Sequence, residues 1–232
     1  MKKNVKIIIL SAAAASLASI IIFFFMNRPE LNLPEQTDVN NQKGLTFENM
    51  GENFTFSSEK RKELEKKFGN DVLESWSPIS FEDFSPEFLN EFLAEIHVFS
   101  KQLQDRELRE KTGRNSIKIK YPYAQRTTKV YKDVHLIFSG LTKMPLIFRI
   151  SAYEHESFLA SLEKKFSKPR VINYQDKIYY FWEKDNSVMI GEIKQDRYTK
   201  PYLSIVIYYK ENIKNFFSST IDSEPDSAEN IF

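Results

Sequence analysis

The pattern of apolar and polar positions divides the chain into four stretches. Ile7 to Met26 is an uncharged apolar run, bounded by Lys2, Lys3 and Lys6 before it and by Asn27, Arg28, Pro29 and Glu30 after it. Twenty residues of helix span about 30 Å, the thickness of a bilayer's hydrocarbon core. Residues 1–27 are therefore read as an N-terminal transmembrane anchor, and the three lysines place its N-terminus in the cytoplasm. The competing reading is a cleaved signal peptide with a small-x-small site at Ser16-Leu17-Ala18. Cleavage there would leave the Ile20–Phe25 run on the mature terminus, which favours the anchor. Leu17-Ala18-Ser19 begins like a lipoprotein box, but Ile20 stands where the cysteine must be.

Residues 28–56 carry Asn, Gln, Glu, Pro and Gly with little periodicity and read as a flexible tether. From residue 57 the periodicity is helical. Ser57 and Ser58 precede Glu59, Leu64 and Phe68 lie four apart, and Gly69 suits a helix end. A longer helix is predicted from Ser85, with Pro86 in its first turn, and Phe84 placed to pack on Leu89. Phe88, Phe92, Ile96, Phe99 and Leu103 form its apolar stripe, and Gly113 marks its limit.

Beyond Gly113 the period changes to two. Ile117, Ile119 and Tyr121 alternate with Lys118 and Lys120. Val134, Leu136 and Phe138, then Leu146, Phe148 and Ile150, form two further runs around Gly140. A short helix is expected around Phe158, Leu162 and Phe166, stopped by Pro169. Three strand-like runs follow at 178–183, 187–194 and 202–209, with turns at Asp185-Asn186 and near Asp196, then a short helix over 211–217. This order predicts an α+β domain over 57–217, with helices packed on a mainly antiparallel sheet. Residues 218–232 hold Asp222, Glu224, Asp226 and Glu229 and no basic residue, and read as an acidic disordered tail.

Composition changes this picture in two ways. Apolar residues make up 41% and aromatics 14% of the 232 residues, enough for a substantial core. A net charge of +1 gives no global field for nucleic acid, and the absence of cysteine excludes disulfides, thiolate metal sites and a cysteine nucleophile.

Candidate chemistry is sparse. His155-Glu156 opens like a zinc-protease motif, but Leu159 occupies the second histidine's place. His97 and His135 are not brought near it by spacing, and His97 reads as a surface residue. No two of the six glycines are close enough for a phosphate-cradling loop, and no G-x-S-x-G elbow is present. No catalytic, cofactor or metal residue is assigned. The uneven feature is charge: ten basic and four acidic residues lie between Lys101 and Asp133. Lys118, Lys120, Arg126 and Lys129, interleaved with Tyr121 and Tyr123, form a candidate surface for an anionic partner. Tyr179, Tyr180, Phe181 and Trp182 form a candidate aromatic contact surface, for which the alternative is a sheet covered on both faces.

The sequence therefore leads to a single-pass protein of the cell envelope, inserted through residues 7–26 into what is expected to be a bacterial inner membrane. Its extracytoplasmic domain is expected to bind or assemble with an envelope protein, without a metal or nucleic acid. A hydrolase-like envelope enzyme with unidentified carboxylates and a tethered inhibitor or immunity protein are the alternatives.

Overall fold

The structure, a computed structural model, describes residues 44–73, 77–128, 130–195 and 200–222. The transmembrane anchor, the tether as far as residue 43, the turn near Asp196, Lys129 and the end of the acidic tail lie outside the described residues. No helix among the described residues is long and apolar enough to cross a membrane.

Among the described residues, eight strands form one antiparallel sheet: β1 (Val72–Leu73), β2 (Ser116–Tyr121), β3 (Tyr131–Ser139), β4 (Pro145–Ala152), β5 (Arg170–Tyr174), β6 (Lys177–Lys184), β7 (Ser187–Lys194) and β8 (Tyr202–Tyr209). Their spatial order is β1-β2-β3-β4-β8-β7-β6-β5. Two meanders, β1–β4 and β5–β8, thus lie side by side and join through β4 and β8. The helices are α1 (Ser58–Phe68), α2 (Pro86–Phe92), α3 (Ala94–Gln102), α4 (Arg106–Arg114), α5 (Gln125–Thr128), α6 (His155–Phe166) and α7 (Lys210–Asp222). The α+β class expected from the sequence is what the chain adopts.

Side chains alternate between the two faces of the sheet, and helices pack on both faces. On the first face, Ile147, Tyr208, Val206, Ile190, Phe181 and Tyr179 meet Phe84, Phe88 and Leu89 of the α2 region, Leu93 and Ile96 at α3, and Ile213, Phe216 and Phe217 of α7. Phe88 is the hub, with ring centroids 4.5 Å from Tyr179, 4.8 Å from Phe92 and 5.0 Å from Phe84. On the second face, Phe68 of α1 packs 5.4 Å from both Tyr121 and Tyr131, and Phe158 of α6 packs 5.6 Å from Tyr131.

The caps of α1 and α2 follow the sequence. Ser57 Oγ accepts from the Lys60 amide and Ser85 Oγ from the Phe88 amide, each at 3.2 Å. Gly69, at φ 87°, ends α1. Gly140 is required by close approach. Its amide donates to the Asn115 carbonyl at 2.6 Å, and a Cβ there would meet the same oxygen at 2.6 Å.

Three boundaries differ from the expected ones. The helix predicted from Ser85 to Gly113 is three helices. Leu93, at φ −143° and ψ 54°, interrupts the first pair, and no Gly, Pro or capping side chain marks that break. Asp105, read as helix interior, instead caps α4 by accepting from the Leu108 amide at 2.8 Å. Residues 44–56, read as the end of the tether, are packed into the domain. Leu45 and Met50 are almost wholly buried. The Leu45 amide donates to Ser187 Oγ, Tyr209 Oη donates to the Met50 carbonyl, and the Asn212 side-chain amide donates to the Glu52 and Pro145 carbonyls. Segments low in periodicity fold when a sheet offers them partners. Finally, α7 runs on to Asp222, with Thr220 buried, so Ser218 to Asp222 belong to a helix rather than to the tail.

Candidate functional site

Helices leave one corner of the first face open. There the residues facing outward from β2, β3 and β4 are polar. Directly paired residues share a face, so the register defines two polar rows. Lys120 pairs with His135, which pairs with Arg149. Asp133 pairs with Ser151, Ser151 with Ser204, and Ser204 with Glu192. One register step away, Lys118 pairs with Ile137. The segment 77–84 crosses this corner before α2, and the two together enclose an open cleft of about 350 Å³. Its walls include Ser77, Asp83, Lys118, His135 and Arg149.

Arg149 fixes the wall. Its Nε donates to both carboxylate oxygens of Asp83, each at 2.8 Å, and its Nη2 donates to the Ser80 carbonyl. Tyr208 Oη donates to the same carboxylate at 3.3 Å. Arg149 and Asp83 keep only 20% and 18% of their side-chain surface exposed, so this charge-assisted pair works in a partly desolvated setting. Burial, then the negative charge of Asp83, pushes the Tyr208 phenol well above its usual range, so it remains a donor. Lys118 is 3% exposed, and its Nζ donates to Ser77 Oγ at 3.1 Å. Lys120 and His135 are half-buried. Burial raises the Asp133 carboxyl above its usual value, opposed by a hydrogen bond with Ser151 and by the charges of Lys132 and Lys120.

The basic strip read from the sequence is therefore divided. Lys118 lines the cleft, and Lys120 lies beside it, paired with the cleft residue His135. Tyr121 points to the opposite face, fully buried against Phe68, where burial raises its phenol. Tyr123 and Arg126 lie beyond the end of β2, both exposed, with the guanidinium 4.3 Å from the ring centroid. Lys129 is outside the described residues. Alternation along a strand sends adjacent residues to opposite faces, so one contiguous strip was never available to residues 118–121.

The aromatic surface is a correction of the same kind. Tyr179 and Phe181 are each 5% exposed on the first face, under Phe84 and Phe88, and Trp182 is 4% exposed on the second, its Nε1 donating to the Ser167 carbonyl at 2.9 Å. Tyr180 is half-buried. Tyr179, Phe181 and Trp182 are core, because both faces of the sheet are covered at their positions.

The three histidines lie on three different elements, His97 on α3, His135 on β3 and His155 on α6. His97, read as a surface residue, is 9% exposed, and His155 is half-buried at the start of α6. No group of three or more potential metal ligands occurs among the described residues. Sequence reasoning missed Arg149 and Asp83. Arg149 interrupts an otherwise apolar strand, Leu146 to Ile150, and that break in an apolar run was the available signal. No family model, curated protein or solved structure matches the chain.

Proposed function

We propose that the chain is a single-pass membrane protein of the cell envelope whose extracytoplasmic domain is a binding module, and that the cleft over β2–β4 receives an acidic group of its partner. Residues 7–26 supply the anchor, and the lysines before them orient it. The observation that carries the reading is the placement of Lys118, His135 and Arg149 on three adjacent strands along one cleft, with Lys120 paired beside His135. Lysine and arginine so placed favour a carboxylate or a similar anion, and the Asp83–Arg149 pair holds the wall against which it seats.

The test uses the full-length protein in its own membrane, with cross-linking to neighbours. Lys120→Glu reverses a half-buried charge beside the cleft residue His135, whereas Arg126→Glu reverses an exposed charge beyond the end of β2. The reading expects loss of the cross-linked partner for the first and retention for the second. Equal retention, or loss only with Arg126→Glu, would remove the cleft from the account. Protease treatment of right-side-out cells tests the topology independently, and a domain protected on the cytoplasmic side would contradict it.

One observation favours a second reading. His135, Lys118 and the Asp83–Arg149 pair border the same cleft, and such groups can move a proton or hold an oxyanion. A hydrolase-like enzyme would lose turnover of an envelope polymer or peptide on His135→Ala while keeping its partner cross-link.

A further inference from the structure

The two edges of the sheet are built differently. At one end, β1 is a two-residue strand, too short to template another chain. At the other, β5 runs from Arg170 to Tyr174, with β6 as its only neighbouring strand among the described residues. Pro169 precedes β5 and does not interrupt it, and its pairing with β6 runs in unbroken register from Arg170 to Tyr174. Its outward backbone groups therefore meet no other strand among the described residues and recur in regular spacing.

Next to this edge the second face exposes three apolar side chains. Val171 is 54% exposed, Ile178 51% and Ile193 40%, and they lie on three neighbouring strands, β5, β6 and β7. The first face under the same strands is covered: Ile172 and Tyr179 lie beneath α2. The exposed apolar residues thus adjoin the free edge.

We infer that β5 pairs with β5 of a second copy of this chain, antiparallel and centred on Ile172, to make one continuous sheet across a two-fold axis. The sequence of the edge is self-complementary in that register. Arg170 of one copy falls opposite Tyr174 of the other, Val171 opposite Asn173, and Ile172 opposite itself. The basic end of β5, Lys168 and Arg170, approaches the Gln175-Asp176 turn of the other copy, so unlike charges meet at both ends. The lysine at that turn, Lys177, is already paired with Glu192 at 2.9 Å and does not oppose the approach. A closed two-fold contact of this kind uses one patch twice and leaves no free copy of the edge to propagate. This inference stands apart from the reading of the cleft, which lies at the opposite end of the sheet.

The test is sedimentation of the full-length protein in detergent micelles over a range of concentrations. The expected species is a dimer. Val171→Lys with Asn173→Lys, both at exposed positions, sets lysine against lysine across the axis twice and is expected to halve the mass. Val171→Glu with Asn173→Lys sets unlike charges at the same places and is expected to restore the dimer, which an unfolded variant would not do. Because the chain has no cysteine, Val171→Cys with Asn173→Cys gives a second readout. Antiparallel pairs bring Cα atoms to about 4.5–5.5 Å, within disulfide range, so oxidation is expected to link two chains, while either single substitution is not. A monomer at every concentration, or a dimer indifferent to the double-lysine change, overturns the inference. The second outcome would assign association to the N-terminal segment instead.

Discussion

Asp83→Ala removes the carboxylate that accepts from Arg149 and Tyr208, and leaves the guanidinium facing the cleft wall with the Ser80 carbonyl. Breaking a fully buried ion pair by deleting one partner costs about 3–5 kcal/mol. Here each side chain keeps about a fifth of its surface, so the expected loss is smaller, about 2–3 kcal/mol. With a urea slope of about 2 kcal/mol per M, the unfolding midpoint falls by about 1–1.5 M, with the slope unchanged. Arg149→Met strands the carboxylate in turn and costs a similar amount. Much of either loss is the penalty of removing one partner from a partly desolvated charge pair, so Asp83→Ala with Arg149→Met is expected to recover about 1–2 kcal/mol of the summed losses. The assay is urea denaturation of the full-length protein in detergent, followed by tryptophan fluorescence and far-ultraviolet circular dichroism. Strict additivity of the two single losses would refute the assignment of this pair as a coupled clamp on the segment 77–84.

Further outcomes follow from the same geometry. Phe88→Ala removes the hub ring over β5 and β6 and is expected to cost about 3–5 kcal/mol in the same denaturation assay. Gly140→Ala forces a Cβ against the backbone of Asn115, which cannot rotate away, and is expected to lower stability by about 1–3 kcal/mol, read as a fall in melting temperature. The Asp133 carboxyl is raised by burial. Its stabilising contribution is therefore fully present below the ordinary aspartate range and is lost as pH rises through the raised value. Asp133→Asn is expected to flatten that fall, so the ratio of stabilities at neutral and acid pH rises, as measured by denaturation at a series of pH values.

Local chemistry made much of the fold legible. The serine caps of α1 and α2, the stripe from Phe88 to Leu103, the alternation in β2, β3 and β4 and the strand-like runs of β6, β7 and β8 all rest on neighbours in sequence. The two-residue turn at Asp185-Asn186 appears where it was read, between Lys184 and Ser187. What was not legible depends on distant partners. Residues 44–56 carry no period, yet Tyr209, Asn212 and Ser187 supply their hydrogen bonds from more than a hundred residues away. The strand β5 is five residues long and carries only one buried side chain, Ile172, so alternation was too short to read.

The candidate site was half legible for a related reason. Charge counting along the chain found Lys118 and Lys120, but it also gathered Tyr121, which the pleat sends to the other face. Arg149 and Asp83 lie 66 residues apart and carry no shared motif. Only the pairing of β3 with β4 and the path of the segment before α2 bring them to the two lysines.

The most direct test of the central claim is a photo-reactive phenylalanine analogue placed at Glu82, exposed on the cleft wall, and separately at Tyr123, exposed beyond the end of β2. Irradiation of intact cells carrying the full-length protein is expected to give a covalent adduct with an envelope partner from Glu82 and none from Tyr123. An adduct confined to Tyr123, or equal yields from both positions, would contradict the assignment of the β2–β4 cleft as the binding site.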